Sequence, residues 1–518
     1  MLLRYLSVPF LQIVNSPYSC DHPLMPASTG STRAEVSPVV LCVDLDGTLI
    51  RGDVFWECIL VLLRTSPFTL LLTPFWLLSG KAAFKRQLAA RTQLNPASLL
   101  YRQQVLTLLH REKAAGRRIA LTTAADRELA ETIASYLGLF DEVHGSDGLT
   151  NLKGTNKAVF LAERFSHTGF DYIGDSAADV SVWRSALGAY VVGSKARAAQ
   201  AATVTTVKGT IPDSQPSPPA SRYSSFRTWI RALRGQHWAK NLLLFLPLAL
   251  SHNLASASIL RTLVGFILYG FCASGLYILN DLLDLHSDRD HPWKKERPFA
   301  AGDISIPRGL VAALVLLCVA LGMGFLLNSQ FGLALVGYSV LTVLYSFYLK
   351  KIALLDVFVL SIFYNLRIFA GALLSVTPLS QWFLAFSMFF FLSLAMAKRY
   401  SELLHAGSLV DAGNSGRGYH IGDRELLLAL GAGSSFSAVV ILSLYVHSQD
   451  VRLLYSSPEF LTLLCPIVLY WLSRVWLQAH RGELREDPVT LAIRDPVSYG
   501  VALASVTVIA ASVVHVKW

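Results

Sequence analysis

The sequence predicts an α/β domain with a parallel sheet, followed by an all-α polytopic membrane domain of about nine transmembrane helices. Three observations predict it. Short β-branched runs alternate with helical stretches between Val39 and Val207. A Pro- and Ser-rich stretch, GTIPDSQPSPPASRYSS over Gly209–Ser225, then breaks the pattern. Long apolar runs fill the rest of the 518 residues, of which 53% are hydrophobic and only 15% charged, a composition too apolar for an ordinary soluble chain. The expected divisions are an extension over 1–38, the α/β domain over 39–207, a linker over 208–225 and the membrane domain over 226–518.

The opening MLLRYLSVPFLQIVNSPYSC has the apolar centre of a secretory segment, but a polar, cytosolic-looking stretch follows soon after. We read residues 1–38 as an unstructured extension or an early start, Met25 being another candidate first residue. The net charge of +10 is carried by Lys and Arg clustered between apolar runs, as in loops facing anionic lipid, so nucleic acid is not an expected partner. Six scattered cysteines lack disulfide or zinc spacing.

Within the first domain, VVLCVDLD, RRIALTT, DYIGDS and AYVVG read as strands of a Rossmann-like sheet. The first ends in Asp44-Leu45-Asp46-Gly47-Thr48, placing two carboxylates at the C-terminal edge where ligands of doubly wound sheets bind. A carboxylate can attack phosphorus, and a second one two residues on can protonate the leaving alcohol and then activate water. Asp44 is the candidate nucleophile and Asp46 the candidate acid/base. With Thr123 after IALT, Lys157 in NLKGTNKAVF, and Asp175 and Asp179 in IGDSAADV, the order of motifs resembles the haloacid dehalogenase superfamily. That resemblance implies that Thr123 and Lys157 hold the phosphoryl oxygens, with Lys153 as the rival lysine. It also implies that Asp44, Asp46, Asp175 and Asp179 bind Mg²⁺, and that Asp at position 46 favours phosphatase chemistry. A degenerate regulatory domain is the bland alternative. The insert ECILVLLRTSPFTLLLTPFWLLSG is more apolar than a soluble cap requires. It reads as a surface for the bilayer or the membrane domain, or as residues buried beneath the cap.

After the linker, apolar runs near 240–252, 257–280, 306–327, 330–349, 353–376, 380–397, 425–447, 458–478 and 497–515 approach the ~20 residues of a bilayer crossing, the first being short. Arg289, Lys294, Lys295, Arg297, Lys350, Lys351, Arg399, Arg417, Arg424, Arg481, Arg485 and Arg494 fall on one side, whereas SHNLAS, NSQ and VTPLSQ carry no Lys or Arg. This asymmetry predicts a plasma (inner) membrane protein with the α/β domain and active sites cytoplasmic and the C-terminus outside.

At the end of the second run stands LNDLLDLHSDRDHPWKKERPFAAG, with Asn280, Asp281, Asp284, Asp288, Arg289, Lys294 and Arg297. Helical spacing predicts Asp281, Asp284 and Asp288 on one face, and carboxylates clustered at a membrane edge call for a divalent cation and a bound diphosphate. The lysines and arginines would grip phosphate oxygens. This NDxxDxxxD pattern resembles the UbiA prenyltransferase superfamily, which implies a Mg²⁺-bound diphosphate donor and catalytic, metal-binding roles for Asp281, Asp284 and Asp288. The continuation DRxHPxKxxRPxAAG, with QHWAKN including Lys240, Tyr345-Ser346, Lys350, Asp356, Arg367, KRYSEL (Lys398, Arg399, Glu402) and Asp487-Pro488-Val489, is similar to the decaprenyl-phosphate phosphoribosyltransferase branch. In that branch the donor is phosphoribosyl pyrophosphate and the acceptor a polyprenyl phosphate. Basic residues in KRYSEL suit an extra phosphate better than a second metal. Lys350, Lys351 and Arg417 also fit positive-inside anchors, and His291 reads as a turn residue. Asp356 and Arg367, inside one apolar run, point to function or to mutual pairing.

Joined in one chain, the two halves suggest a transferase followed by removal of the 5-phosphate. Two other readings stand beside it. One is a conventional prenyltransferase taking a prenyl diphosphate to an aromatic or lipid-precursor acceptor, with an accessory phosphatase. The other is a non-catalytic membrane scaffold or transporter.

Overall fold

The computed structural model describes residues 39–212, 222–252, 255–406, 418–484, 488, 492 and 494–513. The extension 1–38, the 213–221 part of the linker, and Arg417, Arg485, Asp487 and Val489 lie outside the described residues. The first domain is a six-stranded sheet of β1 (Val40–Val43), β2 (Ile119–Asp126), β3 (Glu142–Ser146), β4 (Phe170–Gly174), β5 (Gly188–Val192) and β6 (Val207–Ile211), in the order β3-β2-β1-β4-β5-β6. Every neighbouring pair is parallel. Central β1 has no polar residue because helices cover both of its faces. Leu41 and Val43 enter one apolar core, and Val40 and Cys42 the other, the two-residue alternation of a strand. The chain leaves β1 for strands on one side and returns to β4 on the other, so the crevice at its C-terminal edge is the topological switch point.

Helix α1 (Val54–Thr65) is capped by Asp53, whose carboxylate accepts from Phe55 N–H at 2.9 Å. It leads through an apolar hairpin, Pro67–Leu78, to α2 (Lys81–Ala89); α3 (Thr155–Arg164) follows β3. The hairpin is not buried beneath the cap: Phe68 is 79% exposed and Leu78 86%. The membrane domain holds α4 (Ser256–Leu283), short α5 (Leu285–Asp290), α6 (Ile306–Leu327), α7 (Ser329–Phe347), α8 (Leu355–Ser375), α9 (Gln381–Ala406), α10 (Arg424–Val446), α11 (Leu464–His480) and α12 (Pro496–Val513). Among the described residues, eight helices are long and apolar enough to cross a membrane.

The ninth span expected over 240–252 is not a long α-helix. It is a 3₁₀ segment, Gly235–Phe245, followed by the short α-helix Leu246–Leu250. At ~2.0 Å rise per residue, the eleven 3₁₀ residues reach about 22 Å. Its contacts agree: Arg234 pairs with Asp281 at one end of α4, and the Phe245 ring meets Phe266 at 5.7 Å, about 22 Å back along that helix. The segment therefore covers with few residues the depth that its neighbours cover as α-helices. Gly371 of α8 makes room for it, since a Cβ there would stand 2.1 Å from the Leu244 carbonyl oxygen.

The two domains are packed together. Trp56 and Leu60 of α1 join Ile278, Leu282, Leu285 and Phe299 of the membrane domain in one apolar cluster.

Candidate active sites

The loop after β1 turns sharply at Gly47, φ +75°, where a Cβ would lie 2.3 Å from an Asp175 carboxylate oxygen. Only glycine allows that approach, and it lets the loop after β4 close over Asp44. Oxygens of Asp44, Asp175 and Asp179 lie within 4.8 Å of one another. Three convergent carboxylates are the donor set a hard divalent cation takes, so the residues fit Mg²⁺. Asp46, expected as a metal ligand, is not one of the three: its carboxylate accepts from Val54 N–H at 2.8 Å, at the start of α1. Lys157, buried in the first turn of α3, donates to Asp44 at 2.9 Å and to Tyr172 Oη at 2.8 Å. Tyr172 in turn donates to Asp179 at 3.1 Å. Asp179 also accepts from Ser176 N–H at 2.9 Å, and Thr48 donates to Asp175 at 3.1 Å.

Burial raises these carboxyls. Desolvation lifts Asp44 to about 6 against the opposing pull of Lys157, and desolvation with the nearby Asp179 and Asp44 lifts Asp175 to about 7. Asp46 is raised well above the usual carboxylate range, by desolvation first and then by Asp53. A carboxyl held protonated is suited to be a general acid.

Thr123 departs from its expected place. It is fully buried, and its hydroxyl accepts from Ala125 N–H at 3.0 Å; Ala124 and Ala125 form the cavity wall there instead. Asp44, Asp46, Lys153, Lys157, Asp175 and Asp179 all line a cavity of about 700 Å³. The membrane domain supplies its far wall, through Arg289, Phe299, Gly302, Ile304, Ile306 and Pro307.

The acidic motif of the membrane domain does not lie on one uninterrupted helical face. Helix α4 ends at Leu283, and Asp284 is the joint before α5. Asp281 and Asp288 are buried, with Arg297 between them at 3.2 and 2.6 Å, and Arg234 also pairs with Asp281. Asp284 accepts from Asn280 at 3.2 Å and faces Lys350 at 3.4 Å. In this arrangement guanidinium groups neutralise the carboxylates, the physical requirement for burying them. Mg²⁺ with a diphosphate could satisfy the same acids and cations together.

Arg289 turns away from this cluster. It donates to Glu57 of α1 at 2.8 Å and to the Ser98 carbonyl at 3.0 Å. Asp356 and Arg367 do not pair with each other either. Asp356 binds Arg399 and Tyr419, and Arg399 also binds Glu402. Arg367 donates to Asn241 at 3.0 Å and lies among the rings of Tyr269, Tyr338 and Tyr364. Lys240 stands 5.5 Å from the Tyr364 ring centre. Lys398 is half-buried and Lys294 exposed. Sequence reasoning missed Glu57, Arg64, Tyr172 and Arg234. An acid inside the apolar run ECILVLLR and an arginine just before QHWAKN were the available signals.

Comparisons with known proteins place both halves. The UbiA prenyltransferase family matches residues 242–493, and haloacid dehalogenase-like hydrolase matches residues 41–184. The protein y4nM of Sinorhizobium fredii is 40% identical over 475 residues, 91% of this chain and 90% of its own. The decaprenyl-phosphate phosphoribosyltransferase of Mycobacterium tuberculosis is 30% identical over 291 residues, 55% of this chain and 93% of its own. A UbiA homolog from Archaeoglobus fulgidus, solved with GPP and Mg²⁺, is 16% identical and matches 55% of this chain and 97% of its own with TM-score 0.42.

Proposed function

From the fact that the chain belongs to the UbiA prenyltransferase family and carries a haloacid dehalogenase-like hydrolase domain, we propose a two-step enzyme of lipid-linked pentose synthesis. The membrane domain transfers 5-phosphoribose from phosphoribosyl pyrophosphate to a polyprenyl phosphate, and the first domain removes the 5-phosphate from the product. The identity to a decaprenyl-phosphate phosphoribosyltransferase over 93% of that protein's length supports the first step. The observation that carries the second is the shared cavity, with phosphatase carboxylates on one wall and membrane-domain residues on the other.

In the transfer, an oxygen of the polyprenyl phosphate attacks the anomeric carbon and diphosphate leaves. Arg234, Arg297 and Lys350 are placed to take the diphosphate charge as the acidic motif engages the cation. Mg²⁺ held by the acidic motif would screen the leaving diphosphate. In the hydrolysis, Asp44 attacks phosphorus while Lys157 holds its carboxylate. Asp46 protonates the departing sugar oxygen, then takes a proton from the water that cleaves the aspartyl-phosphate. Asp44, Asp175 and Asp179 would hold the Mg²⁺ of this site. Both sites would face the cytoplasm, on the plasma membrane side rich in Lys and Arg loops.

The test uses reconstituted protein with Mg²⁺, labelled phosphoribosyl pyrophosphate and a polyprenyl phosphate, with the lipids read by mass spectrometry. Wild type is expected to yield the ribosyl lipid without 5-phosphate, Asp44→Asn to stop at the phosphorylated lipid, and Asp281→Asn to make neither. A chain that instead joins a prenyl diphosphate to an aromatic acceptor is a conventional prenyltransferase, and turnover of neither substrate set returns it to a scaffold or transporter.

A further inference from the structure

An apolar groove runs along α6. Val311, Ala312, Val315 and Leu316 line it, positions that share one face of that helix. The opposite bank is Trp229 and Leu233, at the end of the helix Arg222–Ala232 and just beyond it. That bank is held in place: the Leu233 carbonyl accepts from Ser274 of α4 at 2.8 Å, and Arg231 donates to the Glu296 carbonyl at 2.7 Å. The groove holds about 630 Å³, within the ~300–1,000 Å³ of ligand pockets. Val311 and Val315 are more than half exposed, on a helix long and apolar enough to cross a membrane, so the groove opens towards hydrocarbon.

Two features indicate which hydrocarbon. The first is where the groove begins. Pro307 lines both the groove and the phosphatase cavity, so the two adjoin at the first turn of α6. They also rest on one apolar cluster: Trp229, Leu233 and Leu316 pack against the residues to which Phe299, Ile304 and Ile306 of the cavity wall belong. From Pro307 to Leu316 the groove follows α6 for about 14 Å. The second feature is charge. Arg308 lines the groove beside Pro307, and the other lining residues carry none. A ligand that spans both sites therefore has, in order, a phosphorylated group at the carboxylates, a linking phosphate near the cation at the junction, and an apolar chain. A polyprenyl-phosphoryl 5-phosphoribose is built in that order. An ordinary phospholipid could fill the groove but has no second phosphate to offer Asp44.

Resting on the phosphatase reading above, we infer that the groove between α6 and the helix Arg222–Ala232 holds the polyprenyl chain of the lipid-linked sugar phosphate while its head lies in the phosphatase cavity. The chain thus stays in hydrocarbon throughout hydrolysis, and the membrane domain supplies part of the binding site for a reaction performed by the other domain.

The test uses the full chain in nanodiscs with Mg²⁺ and two substrates with the same head group, 5-phosphoribose joined to farnesyl phosphate or to methyl phosphate. Release of inorganic phosphate gives kcat/KM for each. Wild type is expected to favour the farnesyl substrate by about ten-fold or more. Val311→Trp and Val315→Trp place a ring at the groove one helical turn apart. At least one of them is expected to lower the farnesyl value about ten-fold while the methyl value stays within about two-fold. The ratio is insensitive to the amount of folded enzyme, and both substitutions exchange one apolar residue for another at exposed positions. A wild-type ratio near one, or a ratio unchanged in both variants, means that the groove takes bulk lipid only; either overturns the inference and leaves the phosphatase standing. Release of phosphate from neither substrate by wild type overturns both.

Discussion

Asp44 and Asp175 illustrate how a carboxylate cluster fixes its own conditions of use. Each has its folded pKa, about 6 and about 7, above the ~4 of an unfolded aspartate. The folded state therefore binds more protons than the unfolded chain between about pH 4 and 7, and stability without cation falls as pH rises through that window. Mg²⁺ held by these carboxylates would take the place of those protons. The rise in Tm on adding Mg²⁺ should accordingly be small near pH 5 and grow to its full value above pH 7; a Tm increment independent of pH would contradict the site. Asp44→Asn should abolish it at every pH. A different kind of buried acid stands at the other edge of the sheet. Asp171 is fully buried and held by Arg117 and by Lys208 at 2.7 Å. Arg117→Ala should destabilise the domain by about 3 kcal/mol, readable as a lowered denaturation midpoint.

Two elements behave in ways their composition conceals. The segment Gly235–Leu250 follows the depth of α4 because its first eleven residues are wound as 3₁₀. A hydropathy window counts apolar residues but not rise per residue, which is why 240–252 read as too short. Gly371→Ala puts a methyl against the Leu244 backbone, where no rotamer change relieves the contact. It should cost about 1–3 kcal/mol and lower the thermal midpoint in detergent, whereas Gly337→Ala, which meets nothing within 4 Å, should not. The hairpin Pro67–Leu78 carries exposed Phe68, Leu71, Phe75 and Leu78. It starts two residues after the end of α1, whose Arg64 reaches Asp284 and the Leu283 carbonyl at the end of membrane helix α4. An environment-sensitive dye placed by Phe75→Cys should shift to the blue on reconstitution into bilayers; an unchanged spectrum would show that the hairpin stays in water.

At the scale of the whole molecule, α1 ties the two sites together. Its first turn carries Glu57 against Arg289, its middle packs Leu60 on Phe299 and Leu282, and its end sets Arg64 beside Asp284. Leu60→Asp places an unpaired charge in that apolar seam. Under the two-step reading it should let the phosphorylated ribosyl lipid accumulate, visible by mass spectrometry, while transfer continues. The parallel sheet, the run of apolar helices and the candidate acids Asp44, Asp46, Asp175 and Asp179 were legible in the sequence alone. Strand alternation and span length are local properties that a short window of chain carries in full, and the acids were named through an order of motifs that resembles a known superfamily. Only the tertiary structure decided that Arg289 serves Glu57 rather than the acidic motif beside it. It likewise decided that Arg234 and Arg297 neutralise Asp281, that Asp356 pairs with Arg399, and that one cavity has walls from both domains. Each depends on which surfaces meet between residues 16 to 232 positions apart in the sequence, and a buried charge takes whichever partner the fold brings within reach.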